Sequence, residues 1–218
     1  MSVAASDPKP SAEYVKVRIY MAVLRHLNRE NLLTSKNTEW NMPDLVHQAK
    51  TLIAKAHEKQ IRKYTGEPYV NHCHEVYDLL RQHGGGYATD TEVLAAALLH
   101  DVIEDTSITV EEITDTFGHR VASIVEELTN KYPRSTGLDR RERKAKEAER
   151  LTRVSQEAMA IKLADIAANV RGIVKLDPEF AKTYLSEKLS LLPKLKGPPA
   201  LWHLAFERVR TEMRELVN

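Results

Sequence analysis

The sequence predicts an all-α protein, a helical bundle of eight or more helices, and three observations carry that reading. Apolar residues recur at helical spacing in segment after segment. Gly, Pro and capping signals separate those segments. No alternating strand pattern and no hairpin signal appears anywhere in the chain.

The elements follow in order. Residues 1–10 read as a disordered tail. Tyr14–Leu33 carries Val17, Tyr20, Met21, Leu24 and Leu27 at helical spacing, which makes 11–43 an N-terminal helical extension. The polar stretch TSKNTEWN (34–41) ends it, and Pro43-Asp44 opens a helix over about 44–60 with Leu45, Ala49, Leu52, Ile53 and Ala56 on one face. RKYTGEP (62–68) is a loop punctuated by Gly66 and Pro68, and Pro68 holds Glu67 extended. A helix over about 70–82 stops at Gly84-Gly85-Gly86. The next spans about 89–104 with Thr89 or Asp90 as N-cap.

Thr109 and Glu112 form a capping box for a short helix that ends near Phe117-Gly118. A helix over about 119–130 is followed by a loop, Pro133–Gly137. DRRERKAKEAERLTR (139–153) is a charge-dense helix, solvated or flanking a lid. A long helix over about 155–176 ends at Asp177-Pro178, which opens another to about 195. Gly197-Pro198-Pro199 precedes a last helix, about 200–216. Its Leu201, Leu204, Ala205 and Val209 suit packing on the core or on a second subunit.

Composition narrows the function. The 218 residues are 42% apolar and 29% charged, enough for a real core. A net charge of +1 points to neither DNA nor a membrane surface, so any basic site must be local. The one cysteine, Cys73, excludes a disulfide framework and a thiolate zinc cluster and fits a reducing, cytoplasmic setting. MSVAASDPKP lacks the pattern of a secretory signal, and no apolar run approaches a membrane span.

The stretch VLAAALLHDVIEDT (93–106) is where chemistry shows. Seven apolar residues, Val93–Leu99, imply a helix buried on every side. His100, Asp101, Glu104 and Asp105 follow at once. On one continuous helix, at about 100° per residue, all four share a side within roughly 140°. Three neighbouring carboxylates repel one another and resist desolvation, and the negative helix C-terminus worsens the conflict. A divalent metal on His100 and Asp101 resolves it. Further ligands are at hand in His72 and Asp165. Asp165 lies in the mostly apolar IKLADIAANV, and reads either as a ligand or as a core Asp paired with Lys162 or Arg171. Asn169 is one turn beyond it on the same face. His57 and His74 read as packing, since His74 points about 200° away from His72 on a helix.

RKYTGEPYVNH, AAALLHDVIEDT, FGHRVASIVEELT and IKLADIAANVR, in that order, resemble the HD-domain metal-dependent phosphohydrolases. More narrowly they resemble the hydrolase domain of RelA/SpoT homologues, in the form of a stand-alone small alarmone hydrolase. The resemblance covers roughly 45–195 and sets an HD hydrolase domain at 44–196, with 197–218 as a C-terminal helix packed on it. It implies that His72, His100, Asp101 and Asp165 hold one metal ion, usually Mn²⁺, and that Glu104 and Asp105 position and activate water. It implies that Arg62 and Lys63 contact substrate, with Asn169 a polar contact and Lys131 a further candidate. Two imidazoles and two carboxylates without a thiolate suit Mn²⁺ and similar six-coordinate ions. The implied substrate is a purine nucleotide carrying a 3′-pyrophosphate, (p)ppGpp, hydrolysed to GDP or GTP and pyrophosphate. The same chemistry on (p)ppApp, or removal of the 2′-phosphate of NADPH, is the alternative. A degenerate nucleotide-binding regulator is a third reading, but all six metal and carboxylate positions are filled. A homodimer, and pairing with an alarmone synthetase, are compatible with the resemblance. Cys73 stands where the family usually has Pro, and Ile166 where it often has Lys. Neither departure removes a ligand; both bear on pocket shape and base preference.

Overall fold

The computed structural model describes residues 12–34 and 45–217. Twelve α-helices and no β-strand occur among them. These are α1 (Ala12–Thr34), α2 (Leu45–Ala56), α3 (Val70–His83), α4 (Thr91–Leu99), α5 (Val102–Asp105) and α6 (Val110–Phe117). They continue as α7 (His119–Leu128), α8 (Arg140–Leu151), α9 (Gln156–Val170), α10 (Ile173–Leu176), α11 (Pro178–Leu191) and α12 (Pro199–Glu215). The expected tail at 1–10, the polar break after Thr34 and the Pro43-Asp44 helix start lie outside the described residues, as do the side chains of Tyr14, Leu27 and Leu33. No described helix is long and apolar enough to cross a membrane.

α4 sits at the centre because it has no polar side to offer water. Val93 through Leu99 are all buried, and α2, α3 and α7 pack around them. Each fully buried Leu there, such as Leu98 or Leu99, contributes roughly 1.5–3 kcal/mol of transfer free energy. α9 is the second buried helix, held between α3, α7 and α12. Its alanines let those neighbours approach closely. Leu201, Ala205 and Val209 of α12 are wholly buried against this side.

The helix starts are chemically specified. Asp90 caps α4, accepting from the amides of Glu92 and Val93 at 3.1 and 3.2 Å. Arg120, at the start of α7, grips both oxygens of Asp90 and so ties the two helix ends together. The expected capping box of Thr109 and Glu112 opens α6. Glu112 also receives Arg18 and Arg25 from α1, whose Val17, Met21 and Leu24 are buried. Asp139 and Glu142 make a second capping box for α8.

Two helices expected to be continuous are broken. The 89–104 segment stops at Leu99, and Asp101 adopts φ −104°, ψ −3° before α5 begins. That conformation lies in the sparsely allowed bridge region beside the helical one, and α5 starts as a separate short helix after it. The 155–176 segment breaks at Arg171-Gly172. Gly172 takes a left-handed φ of +74°, open to Gly without a Cβ penalty. Buried Glu212 of α12 then accepts from the amides of Gly172 and Val174 at 2.6 and 3.1 Å, satisfying the exposed start of α10. α11 also stops short, ending at Leu191 in a 3-10 turn over Leu192–Lys194.

Candidate active site

Three buried side chains meet where α3, α4 and α9 converge. His72 enters from the first turn of α3, His100 from the end of α4 and Asp165 from the middle of α9. Their ligand atoms lie within 4.8 Å of one another, forming a candidate metal site. Asp165 Oδ1 is 3.3 Å from His72 Nε2 and 3.9 Å from His100 Nε2. Asp101 closes the group, its Oδ2 lying 2.8 Å from His100 Nε2 and 3.7 Å from His72 Nε2. His100 Nδ1 donates to the Ala97 carbonyl at 2.9 Å, which fixes the ring and leaves Nε2 for the site.

The donor set fits a divalent cation. Nε2 of both histidines is buried and makes no aligned hydrogen bond, despite the nearby carboxylates. Such unpaired buried atoms are costly, about 1–3 kcal/mol each, unless something else engages them. The electrostatics agree. Burial alone would raise Asp165, but Lys162 and the two histidines hold it well below the usual carboxylate range. Burial likewise opposes charge on His100, yet Asp101 and Asp165 outweigh it and push the imidazole up to about 9. Two ionised carboxylates around neutralisable imidazoles are a cation site by composition.

The pairing with Lys162 expected of a core Asp is present, and the same carboxylate also faces the two histidines. Its Oδ2 pairs with Lys162 Nζ at 2.8 Å, while Oδ1 faces the histidines and accepts from Asn169. The polar partners fix the carboxylate without occupying its side towards the site.

Glu104 and Asp105 project from α5 into a cavity of about 890 Å³ that also reaches Asp101 and Asp165. Both are open to the cavity, yet surrounding protein removes enough water to raise their proton affinity, and the Asp101 charge adds to this. The Asn130 amide donates to Glu104 Oε2 at 3.1 Å. Gln60 donates to the Asp105 carbonyl at 2.7 Å and is itself 2.7 Å from His57 Nδ1. So His57, buried and outside the group of candidate ligands, supports the α5 backbone through Gln60.

A second lobe of about 430 Å³ adjoins the first through Tyr69, Asn169 and Tyr184. Arg62 and Lys63 line it, and Arg62 donates to Asn169 Oδ1 at 3.1 Å. Tyr64 stacks on Phe180, and Phe180 on Tyr184, with centroids 6.2 and 5.4 Å apart. Basic groups beside aromatic faces can take a phosphorylated nucleoside.

The fold thus gathers Asp101, Asp165, Glu104, Asp105, Arg62, Lys63 and Asn169 around two adjoining lobes, with the buried His72 and His100 close to Asp101 and Asp165. Lys131 stays outside them, on the surface beside Glu126 at 3.3 Å. His74 faces Lys50 and Asp78 instead of the cluster. Several cavity residues escaped the sequence reading. Tyr69 donates to Asp101 Oδ2 at 2.5 Å, and its place just before the VNH of His72 was the available signal. Lys144 and Lys188 line the larger lobe without any motif to announce them.

Comparison with known proteins identifies the family. The HD domain family model matches residues 49–196. Over 136 residues the chain is 42% identical to the guanosine-3′,5′-bis(diphosphate) 3′-pyrophosphohydrolase MESH1 of Xenopus tropicalis, covering 62% of this chain and 73% of that protein. It is 32% identical over 174 residues to the bifunctional (p)ppGpp synthase/hydrolase SpoT of Escherichia coli K12, covering 78% of this chain but 23% of SpoT. The solved structure of a metazoan ortholog of SpoT, described as hydrolysing ppGpp, superposes with a TM-score of 0.69 at 30% identity, over 83% of this chain and 99% of that one. The chain therefore belongs to the HD-domain family, in its branch of guanosine-3′,5′-bis(diphosphate) 3′-pyrophosphohydrolases.

Proposed function

We infer that the protein hydrolyses (p)ppGpp, removing the 3′-pyrophosphate to leave GDP or GTP. The observation that carries this reading is the placement of the Glu104-Asp105 pair beside the His72, His100, Asp101 and Asp165 cluster, in a cavity whose second lobe is basic and aromatic. The names of the relatives supply the substrate class.

His72, His100, Asp101 and Asp165 would hold one divalent ion, and this mixed nitrogen and oxygen set suits Mn²⁺. A bound ion supplies phosphoryl polarisation and a lowered pKa for water. The chain does the rest. The nucleoside lies in the lobe of Tyr64, Phe180 and Tyr184, and Arg62 forks onto a phosphate. Tyr69 and Lys162 keep Asp101 and Asp165 oriented. Water adds to the phosphorus on the ribose 3′ oxygen, and that P–O bond breaks. Glu104 or Asp105 takes a proton from the water and the carboxyl pair returns one to the 3′ oxygen, which leaves as a hydroxyl. Raised proton affinity suits these carboxylates to that exchange near neutral pH. Buried, reduced Cys73 is compatible with a cytoplasmic setting.

The test is pyrophosphate release from ppGpp, ppApp and, as phosphate, NADPH, each with and without Mn²⁺. Mn²⁺-dependent release from ppGpp with the highest kcat/KM supports the reading. A clear preference for ppApp or NADPH replaces the substrate, and no turnover of any of the three overturns the enzyme itself.

A further inference from the structure

Three amines from three helices converge on one wall of the larger lobe: Lys144 of α8, Lys162 of α9 and Lys188 of α11. Only Lys162 has a carboxylate partner, Asp165. Among the described residues no carboxylate lies within 4.0 Å of Lys144 or Lys188, although acids stand next to both. Glu147 is turned to Arg150 at 2.6 Å, and Glu187 grips Arg140 through two bonds of 2.7 and 2.9 Å. The arginines therefore take the nearest carboxylate oxygens, and the two lysines reach the cavity without a direct carboxylate partner, Lys188 with its ammonium 4.8 Å from the centre of the Tyr184 ring. Both are partly buried. Burial first, and then neighbouring cations (Arg140 and Lys162 for Lys144, Lys162 and Lys144 for Lys188), depress their proton affinity against the opposing pull of Glu187, that of Lys188 to about 7. Like charges held together at a cavity wall are unfavourable unless an anion completes the group.

The two lobes also differ in kind. Tyr64, Phe180 and Arg62 line only the smaller one, Tyr184 is shared, and Lys144 and Lys188 line only the larger. Asp101 and Asp165 of the metal cluster and the Glu104-Asp105 pair lie on the larger lobe as well. A nucleoside in the aromatic lobe, with its scissile phosphorus near the cluster, directs the phosphate beyond that bond towards the lysine wall. We propose that Lys144 and Lys188 form a leaving-group subsite, which receives the distal phosphate of the 3′ substituent and holds the inorganic pyrophosphate product. This rests on the hydrolase reading for its substrate but not for its test.

The experiment titrates inorganic pyrophosphate, and separately GDP, into Mn²⁺-loaded full-length protein by calorimetry. Wild type is compared with Lys144→Met, Lys188→Met and Lys188→Arg. Each Met variant is expected to weaken pyrophosphate about tenfold or more, with GDP unchanged within about twofold, because a charge-assisted contact to one anion alone is lost. Lys188→Arg restores pyrophosphate binding. Unchanged pyrophosphate affinity in the Met variants overturns the subsite. Equal weakening of GDP also overturns it and assigns the amines to the 5′ phosphates. Lys144 and Lys188 are on different helices, so either variant decides alone if the other fails to fold. Absent ppGpp turnover in wild type would count against the hydrolase reading, while the pyrophosphate titration would still decide the subsite.

Discussion

Oδ1 of Asp165 lies 3.3 Å from Nε2 of His72, yet the two share no aligned hydrogen bond. Atoms this close and this poorly aligned face a common point more than each other. Asp165→Asn keeps the shape of the side chain and removes its charge. The variant is expected to lose bound Mn²⁺, measured by elemental analysis after desalting, and to lose turnover with it. It also strands Lys162, so the chelator-treated protein loses about 1–3 kcal/mol of stability. Wild type should melt lower after chelation, whereas the variant should melt alike with and without chelator. Undiminished metal content in Asp165→Asn sinks the assignment.

Metal binding should release a proton. A ligating imidazole must be neutral, and the flanking carboxylates push His100 up to about 9. Calorimetry at pH 7.5 in buffers of different ionisation enthalpy is expected to show close to one proton leaving per Mn²⁺. Affinity should rise with pH and level off above about 9. The sign for stability is opposite. A raised folded pKa stabilises the metal-free protein fully below the ordinary histidine value of roughly 6.5, and that contribution fades as pH rises through about 9. Melting of chelated protein from pH 6 to 10 measures it, and His100→Gln should flatten that slope.

Glu104 is assigned chemistry and not metal binding, so Glu104→Gln should keep its Mn²⁺ and lose about 10²- to 10⁴-fold in kcat. It should also melt slightly higher than wild type at pH 7–8. The folded protein raises the pKa of Glu104, mainly by desolvation, so ionising it costs stability above the unfolded carboxylate range. The gain from Gln should shrink as pH falls back towards that range. A variant that loses Mn²⁺ together with activity would move Glu104 into the ligand set.

The parts legible in the sequence are those whose cause is local. The run Val93–Leu99 could only be buried, and Thr109 with Glu112 could only cap a helix, because neighbours a few residues apart settle both. The break at Asp101 had no Gly or Pro to mark it. Gly172 was a visible glycine, but one Gly in an apolar helical pattern is ordinarily tolerated, and only Glu212 on a distant helix makes the break favourable. The candidate site divides the same way. His100, Asp101, Glu104 and Asp105 are one short stretch. Tyr69, Lys144 and Lys188 matter through helix-to-helix packing, and the charge run of α8 concealed a face that lines the cavity.

α9 carries the site on one side and is clamped on the other. Leu163 stands two residues before Asp165, hence about 200° round the helix, and faces the chain at Gly197. A Cβ built on Gly197 would come within 2.7 Å of Leu163 Cδ1 and 2.9 Å of Met159 Cγ. Gly197→Ala must push these side chains and is expected to cost about 1–3 kcal/mol, roughly 2–10 °C in Tm. Because the strain enters from the face opposite Asp165, metal content and kcat at 25 °C should hold. Leu163→Ala should then cost less in the Gly197→Ala background than in wild type, since it opens the space the new methyl needs. Additive effects of the two substitutions would show that Gly197 is required for some other reason than its approach to α9.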